Sequence, residues 1–307
     1  MSGLTLTAGL SFSGGITITE APAPENTAAW FAGGDPGSVT SVDRITFSTD
    51  TATATTRGTL SLGRVNFAAA GNFTDGWFGG GNPGNASTVQ RITYVTDTAT
   101  ASVRGPLSLG RYALGAAGNT TDVRFGGGLY PGVSTVDRIT YATDTNTASV
   151  RGPLSLARLY VTGAGNSDYG WFGGGYAMYS TVDRITYATD TATASVRGPL
   201  SQARRGTGAA GNTTDGWWAG GHYPNISTVD RITFATDTNT ASVRGPLSVA
   251  RAGLAAAGNS TNGWFGGGYP DFSTIERITW ATDTAATSTR GPLSRGRDGP
   301  SAAGGIQ

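Results

Sequence analysis

Cysteine and lysine are both absent from the 307 residues, and His222 is the only histidine. Without cysteine there is no disulfide framework and no thiolate metal site, and the redox compartment leaves no mark. One imidazole cannot build a multi-histidine copper or zinc centre, and no sequence feature supplies the Ser and Asp partners of a His-centred triad. His222 on its own reads as loop surface chemistry. All 21 basic residues are therefore arginine; against 20 acids they leave a net charge of +1, with no bulk attraction to nucleic acid or an anionic membrane. Charged residues make up 13% of the chain, which argues against both a coiled coil and a highly charged disordered chain. No run of about 18 apolar residues could form a membrane-spanning helix. The opening MSGLTLTAGLSFSGG has neither the basic nor the continuous apolar stretch of a signal peptide, which predicts another export route if the protein works outside a cell.

What the chain does have is repetition. Six near-copies of a 46 to 47 residue unit fill most of it, the cleanest containing STVDRITYATDTNTASVRGPLSLAR from Ser134 to Arg158. Within Ala113 to Arg158, ALGAAGN is small and apolar, NTTDV is turn chemistry, and RFGGG is a short strand ending in glycines. TVDRITYAT then alternates, with Val136, Arg138, Thr140 and Ala142 on one face and Asp137, Ile139, Tyr141 and Thr143 on the other. A tight hairpin through TDTNTA would set Tyr141 opposite Val150. No segment carries a 3.6-residue period, so the unit predicts four short antiparallel strands, a to d.

Four strands in about 47 residues match one blade of a β-propeller, and six blades can close. The first strand is small in every copy because bulk near the axis would prevent closure. The C-terminal Arg297 to Gly304 aligns with strand a but lacks a following strand b; Ala28 to Gly34 aligns with strand b but lacks a preceding strand a. One blade shared between the two ends would lock the ring and remove sheet edges.

The unit resembles the kelch repeat. It shares an Arg before strand a, a glycine run after strand b (Gly79 to Gly81, Gly126 to Gly128, Gly173 to Gly175, Gly266 to Gly268), an aromatic followed shortly by Thr-Asp (Tyr94, Tyr141, Tyr187), and a final Pro-Leu-Ser-x-x-Arg. The usual Trp at the start of strand d is Ser or Thr here, so the fold expected is an all-β, six-bladed kelch-like propeller over residues 28–307. Such propellers include binding modules and some enzymes, so function must come from the site.

Much of the charge belongs to the scaffold. Eighteen of the 21 arginines occupy three repeated positions, exemplified by Arg138, Arg151 and Arg158; Arg124, Arg205 and Arg295 lie outside them. These and repeated acids such as Asp137 and Asp144 predict blade-to-blade ion pairs, bonds to backbone carbonyls and Asx turns. The Asp144 turn lacks the dense oxygen ligands of a calcium loop, and no metal or cofactor is expected. Trp77, Trp171, Trp217 and Trp264 recur on strand b, where packing between blades competes with sugar stacking. Copper-oxidase and sialidase signatures are missing, no Lys or helix signal follows the glycine runs, and a two-carboxylate glycosidase is the least favoured reading.

The copies differ most in the b-to-c and d-to-a connections, which emerge on one face of a propeller. Those loops carry Tyr130, Tyr176, Met178, Tyr179, His222, Tyr223, Tyr269 and Phe272, with Asn66, Phe67, Tyr112, Tyr160, Arg205 and Asp298 at the d-to-a positions. A rigid scaffold presenting unequal aromatic loops predicts a face that binds a glycan or a protein; neutral drift after duplication is the competing account. Residues 1–20 follow a different rhythm, GLTLTA, GLSFSG, GITITE, placing Leu4, Leu6, Leu10, Phe12, Ile16 and Ile18 on one face. That face cannot be buried alone and predicts assembly into a homo-oligomer, a trimer being one solution, joined through a 21–27 Pro-rich linker. An assembly segment, a linker and a terminal domain, Lys-free and Cys-free, resemble fibre and tip proteins of tailed phage virions. The resemblance implies a non-enzymatic virion adhesin held by other virion proteins and touching a host-surface glycan or protein. An architectural virion protein and a secreted lectin are the alternatives.

Overall fold

The computed structural model describes residues 27–222 and 224–304. The hexad segment bearing Leu4, Leu6, Leu10, Phe12, Ile16 and Ile18, residues 21–26 of the linker, and Tyr223 lie outside the described residues.

Six four-stranded antiparallel sheets follow one another, five of them with their strands in chain order outward from the axis. In the third blade these are Gly115–Gly118, Asp122–Gly126, Val136–Thr140 and Ser149–Arg151, the strands a to d. Apart from Thr162 and Ser301, strand a is Ala and Gly in every blade because six such strands converge on the axis, where they leave hollows of only about 80 Å³. Strand b is buried almost throughout, since neighbouring blades cover both of its faces. The chain closes as expected: Ser301–Ala303 supplies the innermost strand of the first blade, pairing Trp30 with Ala303 and Ala32 with Ser301.

The third strand departs from the expected hairpin. It ends at Thr140, and Tyr141–Thr143 form a 3₁₀ turn. Val150 therefore lies opposite Asp137, and Tyr141 is displaced out of the sheet. The displacement has a cause in the neighbouring blade. Tyr141 stacks on Trp77 with ring centroids 3.7 Å apart, and Asp144, at the end of the same turn, accepts the Trp77 indole N–H at 2.9 Å. Arg91 and Arg104, also of the preceding blade, approach the same Asp144 oxygen at 3.1 and 3.5 Å.

This junction recurs around the ring with Asp50, Asp97, Asp144, Asp190, Asp237 and Asp283 as acceptors. Five carry a Trp on strand b against an aromatic ring of the next blade. The sixth explains Arg124, which the repeat does not predict. Its guanidinium lies 3.9 Å from the Tyr187 ring and 3.0 Å from Asp190, replacing both the stacking and the N–H of an indole. A backbone belt runs outside this: Gly105 donates to Asp144 O at 2.8 Å, and Ala148 donates back to Pro106 O at 2.8 Å. The approach is so close that a Cβ at Gly152 would sit 1.9 Å from Ala192 O, which explains the Arg-Gly-Pro run. The belt also blunts the outer strand edges.

A second arginine set lies under the roots of the other face. Arg111, Arg158, Arg204, Arg251 and Arg297 are buried and pair with Asp137, Asp183, Asp230, Glu276 and Asp43 at 2.8–3.1 Å. Arg158 also donates to the carbonyls of Phe172, Gly174 and Thr181, tying three parts of one blade. Arg64 breaks the pattern. Its counterpart is the equally buried, neutral Gln90, and burial with no acid to oppose it pulls the guanidinium down to about 10. Gln90 Oε1 accepts from the Ser61 N–H, the donor that meets a carboxylate in other blades, as Ser108 meets Asp137.

Two stability predictions follow from these rings. Replacing Asp237 with Ala strands the Trp171 N–H, Arg184 and Arg197. Because both guanidinium groups keep some contact with water, the expected loss in equilibrium denaturation is about 3 kcal/mol. Conversely, Gln90→Asp supplies the missing counterion, and stability rises by about 1–2 kcal/mol in the same measurement. Below the folded pKa of about 10, Arg64 is charged in both folded and unfolded chains, so the gain holds throughout the neutral range.

Candidate functional site

Two residues after each buried Arg, the chain adopts a left-handed conformation in all six copies: Asn66, Ala113, Tyr160, Gly206, Gly253 and Gly299, with φ between 52° and 66°. Their backbones form a closed cycle. Asn66 N–H donates to Gly299 O, Ala113 to Asn66, Tyr160 to Ala113, Gly206 to Tyr160, Gly253 to Gly206 and Gly299 to Gly253, at 2.6–3.3 Å. This cycle frames the axis on the face that carries the b-to-c loops, and paired backbone contacts fasten those loops to it: Val65 with Asn82, Arg205 with His222, Ala252 with Tyr269, and Asp35 with Asp298.

The frame is regular but its side chains are not. Asn66, Ala113 and Tyr160 carry side chains; the next three positions are glycine. Over the glycine half lies a hollow of about 430 Å³ lined by Asn66, Tyr160, Arg205, Gly206, His222, Ala252, Gly253, Tyr269 and Asp298. Asp298 rests against Gly253, where a Cβ would come within 2.2 Å of its Oδ1. Burial raises the Asp298 carboxyl to about 6, and Asp271 and Asp35 push it the same way, while the Gly299 N–H and His222 pull it down. Arg205 lies 5.3 Å from the Tyr160 ring and 4.6 Å from the Tyr176 ring. Burial, reinforced by Tyr112, raises the Tyr160 phenol, so near neutrality it stays protonated and can donate. His222 Nδ1 lies 2.6 Å from Asn225 Oδ1, and its ring meets Tyr269 edge-on at 6.2 Å.

Of the residues expected on this face, Asn66, Tyr160, Arg205, His222, Tyr269 and Asp298 converge on the hollow. Tyr112 meets Tyr160 edge-on at 6.5 Å, and Tyr130 meets Tyr176 at 6.2 Å, so an aromatic chain extends from the hollow to the rim. Tyr130, at 65% exposure, and Tyr269, at 53%, are the most open of these rings. Met178 is half-buried on the same loop as Tyr176, at φ 62°. Three aromatics are placed otherwise. Phe67 is buried in the core, 6.2 Å from Phe78. Tyr179 and Phe272 occupy the loop-root position held elsewhere by Val39, Ala86, Val133 and Ile226, each donating its backbone N–H to the second glycine after strand b. Their rings are half-buried, with Phe272 5.9 Å from the Arg251 guanidinium. Gly206, Ala252 and Gly253 were not expected in the site. The available signal is the second position after each repeated Arg, which changes from Asn, Ala and Tyr to three glycines.

The opposite face is more uniform. Its a-to-b turns repeat one pattern, in which Asn119 Oδ1 accepts from the N–H groups of Thr121 and Asp122. A hollow of about 400 Å³ there follows the Arg124 substitution, and its distinctive groups are engaged: Arg124 on Asp190 and Tyr187, Tyr169 under Arg184 at 4.6 Å. Among the described residues no cluster of His, Asp and Glu could hold a metal ion, and no helix is long and apolar enough to cross a membrane.

No protein-family model matches the chain, and no curated protein matches it. Solved structures do match, 507 chains in all. One, described as "Structure of YjhT", is a propeller protein that superposes with a TM-score of 0.65 at 11% identity, covering 78% of this chain and 87% of that one. At that identity the likeness is one of fold, and it agrees with the sheets and their closure: the chain is a six-bladed, four-stranded β-propeller.

Proposed function

We propose that the protein is a non-enzymatic recognition module which uses the face of the b-to-c and d-to-a loops to bind a glycan or protein on another surface. The observation that carries this reading is the segregation of variability. The c-to-d turns repeat because neighbouring blades need them and the buried arginines because each blade's loop roots do, whereas Tyr160, Arg205, His222 and Tyr269 line one off-axis hollow, with Tyr112, Tyr176 and Tyr130 extending from it. Rigid aromatic side chains give contact area at small entropic cost, and the glycine-framed depression gives a partner a place to insert.

The non-enzymatic reading rests on the use already made of the charged groups: most arginines and repeated acids either hold blade to blade or anchor the loop roots. Attachment to a phage particle, as an adhesin displayed by other virion proteins in several copies, is supported by the sequence layout, with its amphipathic hexads, Pro-rich linker and kelch-like repeats. Multiple copies would turn weak single sites into firm attachment. The secreted-lectin alternative shares the hollow and differs only in what carries it.

The face is tested by retention of the full chain on surface-glycan arrays and on intact bacterial cells. A Tyr130→Ala, Tyr176→Ala, Tyr269→Ala triple variant is expected to lose at least about ten-fold in apparent affinity at an unchanged melting temperature. Equal retention of variant and native chain overturns the reading. Co-sedimentation with phage particles separates the virion role from the secreted one.

A further inference from the structure

We infer that the hollow over the glycine half of the axial frame is a subsite for a single neutral pyranose unit. The inference rests on the recognition-face reading and names what one part of that face takes.

Shape comes first. Gly206 and Gly253, neighbouring glycines at the frame position, border a volume of about 430 Å³, within the size range of small-molecule sites. The space above Gly206 is open: the nearest atoms to a Cβ built there are Gly253 N at 3.4 Å and Ala252 Cβ at 3.8 Å. Tyr160 and Tyr269 contribute two aromatic walls, suited to the C–H face of a sugar ring.

Charge then narrows the ligand. Among the lining groups the Arg205 cation is matched by the Asp298 carboxylate. A ligand carboxylate would face Asp298 and, beside it, Asp35 and Asp271; a ligand ammonium would face Arg205. Neither sign is favoured. The remaining polar groups act in both directions. Asp298 accepts and the Asn66 amide donates and accepts, while His222 Nδ1 is engaged with Asn225 Oδ1. Sugar hydroxyls also donate and accept, so a neutral polyol satisfies such a lining without bringing a buried charge. Arg205, held against Tyr160 and Tyr176, is ordered before any ligand arrives, which reduces the entropic cost of using it.

The experiment is calorimetric and NMR titration of the full chain with methyl glucoside, galactoside and mannoside, set against methyl glucuronide and glucosamine. Two variants are compared. Gly206→Asn fills the hollow with a residue that tolerates the left-handed backbone, as Asn66 does at φ 52° in the same frame. Asp298→Asn keeps the shape and removes the anionic acceptor. At least one neutral glycoside is expected to bind with Kd on the order of 1 mM, Gly206→Asn to abolish that binding at an unchanged melting temperature, and Asp298→Asn to weaken it about ten-fold.

Native affinity should also fall as pH drops through about 6, because Asp298 loses its accepting charge, with Asp35, Asp271, His222 and Tyr160 acting on it and Arg205 in the same lining. The Asp298→Asn variant should not show that component. No binding of any neutral glycoside, tighter binding of the acidic or amino sugar, or affinity untouched by both substitutions overturns the subsite. If cell retention persists and still depends on Tyr130, Tyr176 and Tyr269 while neutral sugars fail, the subsite falls and the recognition face stands.

Discussion

The ring depends on a carboxylate that no blade can use alone. Each Asp at the end of a 3₁₀ turn accepts an N–H from strand b of the preceding blade, an indole in five cases and a guanidinium in the sixth, with two further Arg groups converging on it. A buried indole N–H or an incompletely solvated carboxylate without its partner costs roughly 1–3 kcal/mol, so a lone blade leaves groups unsatisfied at both of its faces. The last of these pairings forms only on closure. Trp264 of the last blade reaches Asp50 of the first across 214 residues at 2.8 Å, and the terminal strand pairs with Ala28–Ala32 in that same first blade.

The same logic accounts for the choice of basic residue. At the loop roots the basic group must meet a carboxylate and several carbonyls in fixed directions, as Arg158 does with Asp183, Phe172, Gly174 and Thr181. A planar guanidinium supplies that fork of donors, whereas an ammonium supplies a point charge on a flexible stem. By anchoring the loop roots, the buried arginines leave the tips free to differ without loosening the sheet. Structural uniformity and recognition are thereby separated onto different parts of each blade.

Much of the architecture was legible because repetition exposes it. Blade number, strand number, the small inner strand and the shared closing blade all follow from period, alternation and the mismatched ends. Less legible was anything that depends on the neighbour. Tyr141 alternates as though it continued strand c, yet stacking on Trp77 and the pull of Asp144 take it into a turn. Arg124 looked like an exception to the repeat, and in space it is a member of it. Tyr179 and Phe272 looked like exposed tips, but hydrogen bonding of their loops draws them to the root position, and Phe67 disappears into the core. Tyr141 and Arg124 answer to the neighbouring blade, and Tyr179 and Phe272 to a backbone bond within their own loops, contacts that the local pattern does not display.

The candidate site shows the division most clearly. Which face varies, and that Tyr160, Arg205, His222 and Tyr269 lie on it, was determined by sequence, because divergence against a repeated background can be seen residue by residue. That these side chains meet at one hollow, and that the hollow sits to one side of the axis, was decided by tertiary structure. The frame closes through backbone hydrogen bonds between residues about 47 apart in sequence, so Gly206 and Gly253, unremarkable in separate copies, become neighbours at the edge of one hollow.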